Sequence, residues 1–255
     1  MSLPVSSPAE QLAALRAELA GAQHARGPVL PFGVMELDSR LADGGLDGAG
    51  LHEVAAASPT LNDDAAATLF AAGTAARFAA ERGRHTVLWA LTRFDLYAPG
   101  LEQVGLGPDK VLYAQGRKDA EVLAMAEDAL RDGSLACVVA EVRVADRTAT
   151  RRLQLAAADG GTPLLLYRRR RRRDACPLGV PSAAMTRWRI GCVPSAPLGI
   201  PGVGRARWAI ALVRQRGGNP FTLTLEACDD TGRLALPAAA ADRAAAAGGA
   251  ASRAA

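Results

Sequence analysis

Between residues 51 and 167, short apolar runs alternate with longer segments of helical periodicity, and this constrains the fold more than any other feature of the chain. Residues 51–56 form a short apolar run, and 62–82 form a long Ala-rich stretch. TVLWAL at 86–91 is strand-like, 94–104 is helical or turn-rich around Pro99-Gly100, and 111–114 is a short strand. Residues 118–131 carry Val122, Leu123, Ala126 and Leu130 on one helical face; ACVVAEV at 136–142 and PLLLY at 163–167 are buried-strand candidates flanking a helical 144–158. Strands that are apolar throughout, separated by helices, predict a mostly parallel sheet covered on both faces, an α/β fold.

Beyond residue 173 the pattern changes. MTRWRIGC (185–192) alternates, RWAIALVR (207–214) is apolar in its middle, and FTLTLEA (221–227) follows the turn RGGNP. These predict an antiparallel meander extending the sheet, with Trp188 facing the core and Arg187 and Arg189 sharing the opposite face. Upstream, 8–22 places Leu12, Leu15 and Leu19 at helical spacing, a short amphipathic helix that either packs on its own domain or meets a partner. A Gly27-Pro28 hinge and the glycine-rich stretch 43–50 then precede the first strand. The expected organisation is an N-terminal helix and hinge (1–29), one domain (30–237) and an Ala/Gly-rich disordered tail (238–255) whose removal leaves the fold intact.

At 255 residues and 49% apolar composition, the chain has ample material for a core, which excludes a disordered protein. The four cysteines, Cys137, Cys176, Cys192 and Cys228, show no CxxC pair or zinc spacing, and a reducing cytoplasm fits them best. No apolar stretch reaches membrane-spanning length and no signal-peptide pattern opens the chain, so the expected location is cytoplasmic, with no membrane partner.

Parallel α/β sheets bind ligands at the carboxyl ends of their strands, so the first strand-to-helix turn is the place to look for chemistry. A phosphate-binding loop needs glycines whose N–H groups wrap the phosphates, a Lys, and a Ser or Thr for magnesium. Here the turn reads Ser58, Pro59, Thr60, Leu61, Asn62, Asp63, without glycine or lysine. Asn62, Asp63 and Asp64 are expected to satisfy the helix's own free N–H groups and to repel a triphosphate. Glu141 ends the ACVVAE strand, where a magnesium-water carboxylate sits in nucleotide hydrolases, but a lone acid there fits a structural hydrogen bond better. His24, His52 and His85 are scattered, and no ligand set for a metal is expected. No catalytic residue and no cofactor is predicted.

The strongest chemical feature is Arg168, Arg169, Arg170, Arg171, Arg172 and Arg173, directly after PLLLY. The net charge is only +4, yet six consecutive guanidinium groups at a strand end repel one another unless a polyanion neutralises them. They are read as a nucleic-acid contact, with a solvated basic loop and a contact to acidic protein surfaces as the alternatives.

The order of motifs resembles the RecA family and, more closely, its degenerate relatives of the ImuA family, over roughly residues 30 to 237. GVMELDSRLADGGLDGAGLHE (33–53) is similar to the RecA lead-in to the first core strand. FDLYAPGLEQVGLGPDKVLYAQ follows the second strand as in RecA, and ACVVAEV occupies the Walker B position. The TRW, PSAP, GRARW and LVRQRGGNPF elements resemble the ImuA carboxy-terminal pattern. The departures are SPTLNDD in place of the phosphate loop, with Asn62 and Asp63 near the Lys and Thr positions, Thr92 near the catalytic glutamate, and Glu141 for the Walker B aspartate. The resemblance implies a RecA-like core without ATPase activity. It also implies an adaptor role in SOS-induced error-prone translesion synthesis, with partners in an ImuB-like inactive Y-family polymerase, RecA, DNA and, indirectly, an error-prone replicative-type polymerase. Self-association is a further expectation by analogy with RecA, whose second DNA-binding loop corresponds to 168–179. The alternatives are a RecA-type DNA-dependent ATPase and an interaction protein resembling an SOS cell-division inhibitor.

Overall fold

The structure, a computed structural model, describes residues 27–83, 86–170, 173–196 and 202–237. The expected N-terminal helix and the tail lie outside the described residues, as do His24 and His85.

The apolar runs become β3 (Leu51–Ala56), β4 (Val87–Leu91), β5 (Val111–Gln115), β6 (Cys137–Val142) and β7 (Leu164–Arg168). The later alternating segments become β8 (Thr186–Val193), β9 (Arg207–Gln215) and β10 (Phe221–Glu226). All join one sheet in the order β10-β9-β8-β3-β7-β6-β4-β5. The pairings from β8 to β5 are parallel, whereas β8–β9 and β9–β10 are antiparallel. The expected meander is therefore attached through β8, which lies parallel to β3 on one side and antiparallel to β9 on the other. Two shorter strands, β1 (Val29–Leu30) and β2 (Leu46–Asp47), pair antiparallel as a separate two-stranded sheet. This pairing explains the glycine-rich lead-in: a Cβ on Gly45 would stand 2.4 Å from the Leu30 carbonyl oxygen, and one on Gly48 would stand 2.3 Å from that of Pro28.

Following α1 (Met35–Asp38), the long α2 (Leu61–Glu81) packs on one face of the sheet. Its alanine content has a steric cause. Ala66, Ala67, Ala71, Ala72, Ala75, Ala76 and Ala79 are all buried, because the helix is covered by the sheet on one side and by the chain after β10 on the other. The approach is closest at Gly73, where an added Cβ would come within 2.7 Å of the Cys228 sulfur. On the same face Trp188 is fully buried, with Phe32, Phe70 and Phe221 ring centroids at 5.6, 5.8 and 6.2 Å, confirming the inward orientation expected from strand alternation. The short α3 (Ala98–Glu102) links β4 to β5.

The other face is covered by α4 (Asp119–Asp132) and α5 (Arg147–Gly160), whose Val122, Ala126, Leu130, Leu153 and Ala156 meet Leu51, Val138, Leu164 and Leu166. Both helices end in a glycine with positive φ, Gly133 at 71° and Gly161 at 58°, which halts each helix before the next strand. Because the connection from β3 leaves toward one face and those from β5 and β6 pass over the other, a crevice opens at the carboxyl ends of β3, β7, β6 and β4. No helix among the described residues is long and apolar enough to cross a membrane.

Candidate functional site

The crevice is lined by the turn after β3 (Ser58, Pro59, Thr60, Leu61), by Thr92 and Asp95 after β4, by Glu141 on β6 and by Arg169 just past β7. Its free volume is about 230 Å³, below the roughly 300–1,000 Å³ of ordinary small-molecule sites. The turn makes no phosphate cradle. Thr60 is the N-cap of α2 and accepts a long 3.4 Å bond from the Asp63 N–H. Ser58 donates to Asp63 Oδ2 at 2.6 Å, and Asp63 Oδ1 accepts the Cys192 N–H at 2.8 Å.

This corrects one expectation. Asp63 and Asp64 do not cap their own helix; they reach sideways, Asp63 to β8 and Asp64 to β7. The cap is the hydroxyl of Thr60, which stands at the last non-helical position, so the carboxylates at the third and fourth helical positions serve neighbouring strands instead.

Arg169 fills the centre of the crevice. Its Nε donates to Glu141 Oε2 at 2.6 Å, its Nη1 to Asp64 Oδ2 at 2.9 Å and its Nη2 to Asp95 Oδ1 at 3.1 Å. Each nitrogen of the guanidinium thus meets a carboxylate from a different segment. Around it, Trp89 Nε1 donates to Glu141 Oε1 at 2.7 Å, and the Tyr167 hydroxyl donates to Asp64. Burial holds the Glu141 carboxyl above the usual range, and the charge and hydrogen bond of Arg169 offset only part of that rise. Burial also opposes the charge on Arg169, but Glu141 and Asp64 outweigh it and hold the guanidinium protonated. Glu141 is thus a structural acceptor, the role its lone position in the sequence favoured.

Arg168 is further removed from solvent than Arg169. It ends β7 with a side chain 2% exposed and donates from Nη1 to Glu53 Oε1 at 2.7 Å. Arg187 on β8 donates from Nε to Glu53 Oε2 at 2.5 Å. Glu53, wholly buried in the middle of β3, therefore joins three adjacent strands with one net positive charge. Arg168 Nε and Arg187 Nη2 are buried without a hydrogen-bond partner among the described residues.

The picture of six guanidinium groups emerging together from the strand end is accordingly corrected. Arg168 and Arg169 are held by internal carboxylates, because β7 runs one residue further than PLLLY and Arg169 turns back over the sheet. Arg170 is half-buried, Arg173 is exposed, and Arg171 and Arg172 lie outside the described residues. Arg187 and Arg189 do not share an environment either: Arg187 is buried against Glu53, whereas Arg189 is exposed, with an irregularity in the β8–β9 register between Arg187 and Trp188.

His52 is buried under β2. Its Nε2–H donates to the Asp47 carbonyl at 2.9 Å, and its Nδ1 lies 2.7 Å from Thr186 Oγ1, which also accepts the Trp188 indole N–H at 2.7 Å. The Thr186 hydroxyl thus joins the His52 ring to the Trp188 indole in one buried hydrogen-bond chain. Burial lowers its proton affinity, partly offset by the Asp47 carbonyl and charge.

Fold and site together define a class: an α/β domain with a mostly parallel sheet, the architecture the resemblance to RecA implied, whose ligand crevice holds an internal ion network. The comparisons narrow this. The chain is 38% identical over 208 residues to Protein ImuA of Caulobacter vibrioides, in strain NA1000 / CB15N and in strain ATCC 19089 / CIP 103742 / CB 15, covering 78% of this chain and 84% of the relative. It belongs to the ImuA family. No protein-family model matches the chain. Among solved structures, SulA from Pseudomonas aeruginosa overlaps 46% of this chain and 96% of its own, with TM-score 0.40 and 23% identity, a likeness too slight to bear on function.

Proposed function

We propose that this protein is a non-enzymatic adaptor of damage-induced error-prone DNA synthesis, bridging an ImuB-like inactive polymerase relative, RecA and DNA. Membership in the ImuA family supports a part in DNA damage-induced mutagenesis. The observation that carries the non-enzymatic half of the reading is Arg169. A nucleotide entering the crevice would have to displace a guanidinium bonded to three carboxylates, and its phosphates would then face Asp64, Asp95 and Glu141. Opening the site costs ion pairs and leaves like charges opposed, so the fold serves as a rigid frame for partners. Contact with DNA falls to the arginine run beyond Arg170, from Arg171 to Arg173.

The test is reconstitution with purified partners. The chain is expected to co-elute with the polymerase-like protein and with RecA on single-stranded DNA, equally with and without magnesium and ATP. Complexes that form only when ATP is present and turning over would overturn the adaptor reading in favour of a RecA-type ATPase.

A further inference from the structure

We propose that a second cavity, beside the first turn of α5 and on the opposite side of Arg169 from the crevice, binds an acidic-hydrophobic peptide segment of a protein partner. The cavity measures about 470 Å³, within the range of sites that enclose a ligand. Its cationic wall is formed by Arg143, Arg147, Arg168 and Arg170, with the internally paired Arg169 at its edge, against two acids among the described residues, Asp146 and Asp174. Those acids are engaged: Asp146 caps α5 through the Ala149 N–H at 2.7 Å, and Asp174 lies 3.4 Å from Arg143.

The arginines are left with unspent donors. Arg147 and Arg170 meet no carboxylate among the described residues, and Arg170 Nε is buried without a partner. Arg168 shares the single charge of Glu53 with Arg187, and its own Nε is unpartnered behind the wall. A buried cation with unmade hydrogen bonds costs free energy that an incoming carboxylate would recover.

Apart from Arg169 and the Cys176 thiol, the rest of the lining is aliphatic. Val144 is 67% and Val180 45% exposed, and Pro177 and Pro181 complete the wall. This distinguishes the occupants. Single-stranded nucleic acid is held by stacking bases on aromatic rings, and among the described residues no aromatic side chain lines this cavity. Valine and proline walls instead accept a leucine or phenylalanine side chain, while guanidinium forks pair carboxylates in bidentate geometry. The combination fits a peptide alternating acidic with large apolar residues.

The probe is a fluorescein-labelled decapeptide of alternating Asp and Leu or Phe, followed by fluorescence anisotropy on the full chain. Binding is expected to weaken with salt, and to vanish when Asn replaces Asp or Ser replaces the apolar residues. Arg147→Ser, at an exposed helix start, should weaken it about threefold, the worth of one exposed ion pair. Val180→Asp should weaken it at least about tenfold, from lost apolar contact plus a misplaced negative charge. Neither position is needed for the fold, and unchanged melting temperatures confirm that. Equal binding of the Ser-substituted peptide would overturn the proposal by reducing the site to a charged surface. So would an oligo-dT whose affinity falls with Val180→Asp, which would make the cavity a nucleic-acid site, or no binding up to about 1 mM peptide.

Discussion

Replacing Arg169 by alanine removes the one cation shared by Glu141, Asp64 and Asp95, and the loss falls unevenly on the three acids. Asp64 and Asp95 are 30% and 40% exposed, so water takes over most of their solvation and each contributes less than about 1 kcal/mol. Glu141 is 4% exposed and, among the described residues, keeps only the Trp89 N–H, so in the variant it stands as a nearly bare buried charge. Its escape is to take up a proton. Protonating a carboxyl of ordinary pKa about 4.3 at pH 7.5 costs about 4 kcal/mol, at about 1.4 kcal/mol per pH unit, which caps the penalty. Leaving no guanidinium to bury returns about 1 kcal/mol. Arg169→Ala should therefore destabilise the protein by about 3 kcal/mol at pH 7.5 and by about 1 kcal/mol or less at pH 5.5. The direction follows from linkage: the folded variant keeps a proton that the unfolded chain releases above pH 4.3, so its deficit grows as pH rises. Adding Glu141→Gln should recover most of the loss at pH 7.5 and flatten the pH dependence. Urea unfolding at the two pH values measures this. A loss below about 1 kcal/mol at pH 7.5, or one that does not shrink at pH 5.5, would refute the claim that Arg169 neutralises a buried carboxylate.

Three further outcomes follow from the same structure. His52 is neutral and its proton affinity is depressed by burial, so the unfolded chain binds more protons below its ordinary pKa of about 6.5. Stability should fall as pH drops through that value by up to about 1.4 kcal/mol per unit, and His52→Gln should remove this component from the pH profile of urea midpoints. Trp188→Ala, which empties the space between Phe32, Phe70 and Phe221, should cost about 3–5 kcal/mol in the same assay, where a base-stacking surface tryptophan would cost little. Replacing residues 171–173 with alanine should weaken single-stranded DNA binding and reduce the slope of log affinity against log salt by up to about 2, whereas an unchanged slope would assign the DNA contact elsewhere.

The sheet was legible because its signals are local. Strands such as LLLY and VVAEV are apolar on both faces, helices between them carry one-sided periodicity, and the observed ends of β3, β5, β6 and β8 fall within a residue of those expected. The polar, glycine-free make-up of the turn after β3 was equally readable, since it depends on residue types in one turn. The ion networks were not, because they join residues more than a hundred positions apart: Glu53 with Arg168 and Arg187, and Asp64 with Arg169. One signal did exist. Glu53 sits in LHEVAA, a run otherwise fit for complete burial, and a carboxylate there requires cations from neighbouring strands. The arginine run was available to supply one, but reading it as a uniform polyanion contact concealed that its first two members belong to the interior. The N-cap was misassigned for a related reason: three polar residues in a row, Asn62, Asp63 and Asp64, outweighed the single hydroxyl of Thr60 that performs the task.

Titration of magnesium–ATP into the full-length protein by isothermal calorimetry tests the central claim, that the crevice is closed to nucleotide by Arg169 and its three carboxylates. The account predicts no binding up to about 1 mM ATP. Magnesium-dependent binding in the micromolar range, lost on substitution of Ser58 or Thr60, would contradict it.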